Sequence, residues 1–325
     1  MSSRKALYVC VSLDVEEEGL FGGHYERVRP QLKNISLLTR VSRLAHDFDL
    51  PLTLFCTYRV FANKESCLVL DEVRESCVTE IGAHLHHWNT PPLEAQKSGP
   101  PERTHLLAPE LLNERLDSLL EAARKWLGHP VSSFRMGRWD LKAPLFEMLA
   151  AKGIKVDSSI CPLRCFAGGA DHFLAPVRPY WRPTPAGKIL VAPITQLPVI
   201  NQIAPAWHKA WQKKPAVLDK FHFFGAMSAN PFWHSSTIMR MATRKLLANG
   251  ENILNLFWHS SELMPGASPQ TPDGTSAENH FKKIQAFFTW LRANYHVRGI
   301  TMDQLPLLDK AFHFPVIEAH PDRDW

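Results

Sequence analysis

Short apolar runs, several of them alternating with polar residues, recur along the chain between longer stretches whose apolar residues return every three or four positions. The short runs predict strands at 6–13, 52–58, 79–85, 132–136, 154–158, 189–194, 253–258 and 299–302. The longer ones predict helices at 32–48, 109–127, 143–152, 236–249 and 276–295. In the last, Phe281, Ile284, Phe288 and Leu291 fall at helical spacing, a stripe that faces a core. Strands alternating with helices in this way are expected to build an α/β fold around a parallel sheet. Proline-rich segments at 89–109 and 161–187, and an aromatic segment at 199–235, read as long loops. In a barrel such loops shape the substrate site.

A chain of 325 residues is long enough for one large barrel or two ordinary domains. With 45% apolar and 21% charged residues it has the balance of a globular protein, and one domain over 1–325 is expected. The opening MSSRKALYVC runs into a strand without an apolar signal core, and no apolar run approaches the ~18 residues of a membrane span. A cytoplasmic protein is therefore expected. Its six cysteines lack paired CxxC spacing and read as free thiols, with Cys161 and Cys165 as a weak candidate clip or metal pair. The net charge of +5 is mild and its lysines and arginines are dispersed, so no nucleic-acid partner is expected. Membrane contact, if any, is expected to be peripheral, through the segment around Trp207, Trp211 and 221–224.

Polar clusters stand at the C-terminal ends of the predicted strands. SLDVEEEG places Asp14 and Glu16 past the first strand, with their side chains on one side of the chain. EIGAHLHHW does the same for His84 and His86. Arg135 and Arg138 follow a third strand, Asp157 lies in a fourth, and His259 ends a late one. Singly, each has a plainer reading: a solvated turn or helix cap for Asp14, Glu16, Asp157 and His259, a hydrogen-bonded loop histidine, a salt-bridging arginine. Jointly they fall where the βα loops of a parallel barrel converge and where such barrels keep their chemistry.

In the segments SLDVEEEG, EIGAHLHHWNTPP, SFRMGRW, VDSSI and FWHSSELMPGASP, in that order over residues 12–269, the chain resembles the polysaccharide deacetylase (NodB-homology) superfamily, carbohydrate esterase family four, and its HLHxW-type intracellular branch. The resemblance implies a distorted (β/α) barrel of about seven strands, a divalent metal held by two histidines and a carboxylate, and hydrolysis of an N-acyl group on a sugar. It assigns the metal, zinc or another divalent transition ion, to Glu16, His84 and His86, with His87 as a competing second histidine. It assigns the base to Asp14, the acid to His259, the orientation of the base to Arg135, and the tuning of the acid to Asp157. Relatives with adjacent aspartates in the first motif and histidines four apart differ from this chain, where Val15 separates Asp14 from Glu16 and Trp88 stands four after His84.

This chemistry suits those residue types. Two imidazoles and one carboxylate leave an open position on zinc, and an amide needs both a base for the water and an acid for its poorly leaving amine. The expected substrate is an N-acetyl or N-formyl sugar, on a nucleotide or lipid carrier or on neither. Trp88, Trp139 and Trp258, beside the motifs, read equally as walls for a sugar ring or as packed residues. Two other functions fit the same segments: a glycoside hydrolase using Asp14 and Asp157 as its carboxylate pair, and a catalytically silent glycan-binding relative.

Overall fold

A computed structural model describes residues 4–93, 100–320 and 323–325. Of the expected loop 89–109, positions 94–99 lie outside the described residues. Eleven strands occur among the described residues: β1 Ala6–Val15, β2 Leu52–Cys56, β3 Thr79–Leu85, β4 Ser133–Met136, β5 Val156–Asp157, β6 Tyr180–Thr184, β7 Gly187–Val191, β8 Gln196–Pro198, β9 Ala226–Ser228, β10 Ile253–His259 and β11 His296–Gly299. The chain divides into two compact units. The first comprises Met1–Glu102, Leu107–Val131 and Phe257–Thr301, and the second Arg103–Leu106, Ser132–Leu256 and Met302–Trp325.

In the first unit β1 runs parallel to β2 and β11, and β2 parallel to β3. In the second, β5 runs parallel to β4 and β7, while β6 returns antiparallel along β7. These ladders contain seven parallel strands, four and three in the two units, as the expected (β/α) fold requires. Strand β1 is buried from Tyr8's neighbours to its end, with Leu7, Val9, Val11, Leu13 and Val15 at 1% exposure or less. Cys10, Ser12 and Asp14 on the opposite face are at 2% or less, and such burial on both faces is what helices covering a parallel sheet produce.

The helix Pro109–Leu127 begins with proline in its first turn and stops at Gly128, whose φ of 79° lies in the left-handed region. Its buried stripe, Leu112, Leu116, Leu119 and Ala123, has helical spacing. The pattern at 32–48 resolves into a 3-10 segment, Lys33–Leu37, followed by the helix Leu38–Asp47. A helix at Lys64–Ser76 was not expected. Its apolar residues are mostly bunched at 67–70, with only Leu70 and Val73 forming a short buried stripe, and Asn63 caps it by accepting from Ser66 N at 2.7 Å.

Two expected loops carry regular structure. The segment 161–187 contains β6, and 199–235 contains the helices Ile203–Trp211, Pro215–Leu218 and Phe221–Phe224 together with β9. Leu218 and Phe221 pack with Leu163 and Phe173 into a small core of their own, which is enough to order this part of the chain.

Candidate metal and catalytic site

Strand register brings the first-unit groups together. Asp14 lies opposite Phe55, and Phe55 opposite Gly82. Two residues further along parallel strands, Glu16 and His84 therefore leave the sheet at one level, and the period of two sends His84 and His86 to the same side. Glu16 Oε2 stands 3.6 Å from His84 Nε2 and 3.3 Å from His86 Nε2. Asp14 Oδ2 lies 4.0 Å from His84 Nε2 and 3.7 Å from His259 Nε2. His87 turns elsewhere, its Nε2 bonded to the Glu102 carbonyl at 3.0 Å.

Glu16, His84 and His86 form a buried donor cluster with ligand atoms within 4.8 Å of one another. Ligand bonds of about 2.0–2.2 Å at tetrahedral angles set donors about 3.3–3.5 Å apart, and the two contacts of Glu16 are close to that spacing. Charge gives a second test of fit. Asp14, Glu16, Glu17 and Glu262 are each at most 3% exposed, and four buried carboxylates call for cationic compensation. The residues fit a divalent ion.

Glu17, not singled out by the sequence, fixes the His86 ring. His86 Nδ1 lies 2.8 Å from Glu17 Oε1, so the ring donates there and Nε2 is the nitrogen turned toward Glu16. Asn89 Nδ2 donates to the same oxygen at 2.6 Å. Trp88 stacks on the other face of His86 at 4.2 Å and 23°. Glu16 itself is held by its backbone: its N–H donates to Ser260 Oγ at 3.2 Å, and its carbonyl accepts from Asn34 Nδ2 at 2.9 Å. Asn34 Nδ2 also donates to Ser260 Oγ at 2.7 Å, closing a buried polar triangle.

His259 caps the 3-10 turn Ser260–Leu263, and this turn carries Glu262 back under it. Glu262 Oε2 accepts from the His259 backbone N–H at 2.8 Å and meets its Nδ1 at 2.9 Å, leaving Nε2 toward Asp14. The resemblance gave the tuning of this histidine to Asp157. The hydrogen bonds of Asp157 go to Ser159 N–H at 3.0 Å and Ser159 Oγ at 2.6 Å, and Nδ1 of His259 is taken by Glu262, because an i+3 carboxylate in a tight turn reaches its own cap residue.

Protonation follows from this crowding. Burial, the largest influence on Glu16, pushes its carboxyl up, but His259, His84 and His86 outweigh it and hold the group well below the usual range. Burial pushes His86 down, and Glu17 and Glu16 overcome it to raise the ring to about 9. His259 is likewise pushed down by burial and raised, to about 10, by Glu16, Glu262 and Asp14. In the second unit, burial pushes Asp157 up to about 7 against the Ser159 hydrogen bonds and the charge of Arg135. Arg135 is fully buried, and its guanidinium donates to Ser158 O and Ser158 Oγ, each at 3.0 Å.

Trp88, Trp139 and Trp258 are 3%, 8% and 1% exposed, so they offer a ligand little open ring surface. Phe21, which the sequence did not bring forward, stands edge-on to His259 at 5.1 Å and is 36% exposed. It lies on the loop after β1, and between that loop and Met264–Ala267 a depression of about 630 Å³ opens.

No family model matches the sequence, and no curated protein matches it. Solved structures match its fold. One described as a polysaccharide deacetylase, from Mycobacterium smegmatis, aligns with a TM-score of 0.59 at 12% identity, over 99% of this chain and 96% of that one. The Puue allantoinase aligns at 0.57 and 15% identity, over 96% and 92%. Another described as a polysaccharide deacetylase, from Pseudomonas aeruginosa PAO1, gives 0.52 and 14%, over 95% and 92%. The chain thus has the fold of the solved polysaccharide deacetylases, to whose superfamily its motifs are similar.

Proposed function

We propose that the protein is a metal-dependent hydrolase that removes an N-acyl group, acetyl or formyl, from a sugar or sugar conjugate. The observation that carries this reading is the buried Glu16–His84–His86 donor cluster with Asp14 and His259 standing beside it. The same cluster favours this reading over a glycosidase, which needs two carboxylates and no ligand set. Three residues hold a divalent ion, zinc being the one best matched to mixed nitrogen and oxygen donors. When bound, such an ion polarises an acyl carbonyl and makes water nucleophilic near neutral pH.

The chain's own residues do the rest. Asp14 accepts the proton of the attacking water. His259, kept protonated by Glu262, donates from Nε2 to the departing amine nitrogen, without which an amide does not cleave readily. Glu17 holds the His86 ring, and Phe21 gives the sugar an apolar edge next to the acid. The support of the acid that the resemblance gives to Asp157 is supplied here by Glu262, while Arg135 keeps the role that the resemblance gives to an arginine in its motif. The carbohydrate substrate is proposed from the described activities of the deacetylases that share the fold.

The test is mass spectrometry of the purified protein incubated with N-acetylated and N-formylated sugars, free and carrier-linked, before and after metal removal. Loss of an acyl group from one of them, abolished by chelation and restored by zinc, is expected. Turnover that survives chelation would overturn the metal-dependent reading.

A further inference from the structure

We infer that one face of the second unit docks on an anionic lipid surface. Two segments distant in sequence meet there. Strands β8 and β9 pair antiparallel with Pro198 opposite Ala226, and Val199 N–H donates to the Gly225 carbonyl at 2.8 Å, so residues 199–203 run beside 223–224. Their large apolar side chains point outward: Phe223 is 79% exposed, Phe224 57% and Ile200 51%, with Val199 and Ile203 above 40%. Exposed apolar residues scattered singly mean little, but five gathered on one face mark an interaction surface.

The patch rests on a rigid base. Ile203, Trp207 and Trp211 follow one another at four-residue spacing on the helix Ile203–Trp211, and Trp207 meets Phe224 edge-on at 5.2 Å. Trp207 and Trp211 pack in turn on the buried core of Leu218, Phe221 and Phe173. The exposed rings are therefore presented by an ordered platform.

Charge selects the occupant. Lys209, Lys213, Lys214 and Lys220 are all exposed in the same stretch. Its single acid between 199 and 228, Asp219, is engaged by Arg164 at 2.8 and 3.1 Å and by the Cys165 N–H at 2.9 Å. Protein interfaces are depleted in lysine, whereas aromatic rings flanked by lysines are what a bilayer with anionic headgroups takes up. No helix among the described residues is long and apolar enough to cross a membrane, so the contact is peripheral. This inference does not depend on the hydrolytic reading.

The experiment is co-sedimentation of the full chain with phosphatidylcholine vesicles, with and without phosphatidylglycerol. Binding to the anionic vesicles, weakened by salt, is expected. Phe223→Ser with Phe224→Ser should lower the affinity about tenfold or more, since each buried ring carries a large apolar contribution. Lys213→Gln and Lys214→Gln should each cost about fivefold at low salt, the effect of one cation near an anionic surface. The lysine variants carry the test if the double serine variant fails to fold. No binding to anionic vesicles, or binding unchanged in the variants that fold, would overturn the inference. So would light scattering that finds a dimer which the serine variant converts to a monomer, because the patch would then be a contact between copies.

Discussion

Glu17 and His86 form a fully buried carboxylate–imidazole pair, Oε1 to Nδ1 at 2.8 Å, directly behind the nitrogen that faces Glu16. The pair sets the tautomer of His86 and raises the ring's basicity. Glu17→Gln should weaken metal binding about 10- to 100-fold, the usual effect of losing such a supporting carboxylate, while the fold is kept. Competition with a fluorescent zinc chelator measures this. Affinity equal to that of the native protein would remove Glu17 from the site.

Asp14 and Glu16 leave the same strand on the same side but should do different work. Glu16→Ala removes one of three donors and should lower both zinc content and rate. Asp14→Asn should keep the ion and lose about 10²- to 10⁴-fold in rate, because an amide cannot take the proton of water. Elemental analysis beside initial rates separates the two. Loss of metal in Asp14→Asn with its retention in Glu16→Ala would exchange the assignments.

The acid has its own signature. His259 is active as the imidazolium, whose pKa burial lowers and the carboxylates of Glu16, Glu262 and Asp14 raise to about 10 in the protein without a bound ion. Replacing Glu262 with Gln removes one of those negative charges, so the folded pKa must fall. The basic limb of the rate profile should then move to lower pH, with the acidic limb in place. A profile identical to that of the native protein would mean that Glu262 does not set the charge on His259.

Asp157 ties the second unit to stability. Burial raises its pKa from an ordinary 3.8 to about 7. Between these values the folded protein holds a proton that the unfolded chain has released, so stability falls as pH rises through that window and stays reduced above it. Asp157→Asn, which keeps an oxygen for Ser159, should raise the melting temperature by about a few degrees at pH 8 and lose that gain by pH 4. A variant less stable than the native protein at pH 8 would show that the ionised carboxylate stabilises the fold.

Periodicity alone determined much of this protein. Apolar alternation located β1 and β3, and the period of two placed Asp14 with Glu16 and His84 with His86 before any contact was known. Proline in the first turn and Gly128 at the end bounded the helix Pro109–Leu127, because both act through local backbone geometry. Tertiary structure decided what local rules cannot reach. His86 joins the donor cluster and His87 does not, since one residue's step along a strand end turns a side chain to the opposite side. Glu17 looked like an ordinary acid in EEEG and became a support for His86 only through folding, whereas Glu262 reaches His259 within its own turn. Asn34 and Ser260, 226 positions apart, meet behind Glu16 by a route that no spacing encodes. The order in 199–235 was not read as such, because beyond the four-residue spacing of Ile203, Trp207 and Trp211 its short helices depend on a shared core around Phe173 and Phe221, and such a core exists only after distant segments have met.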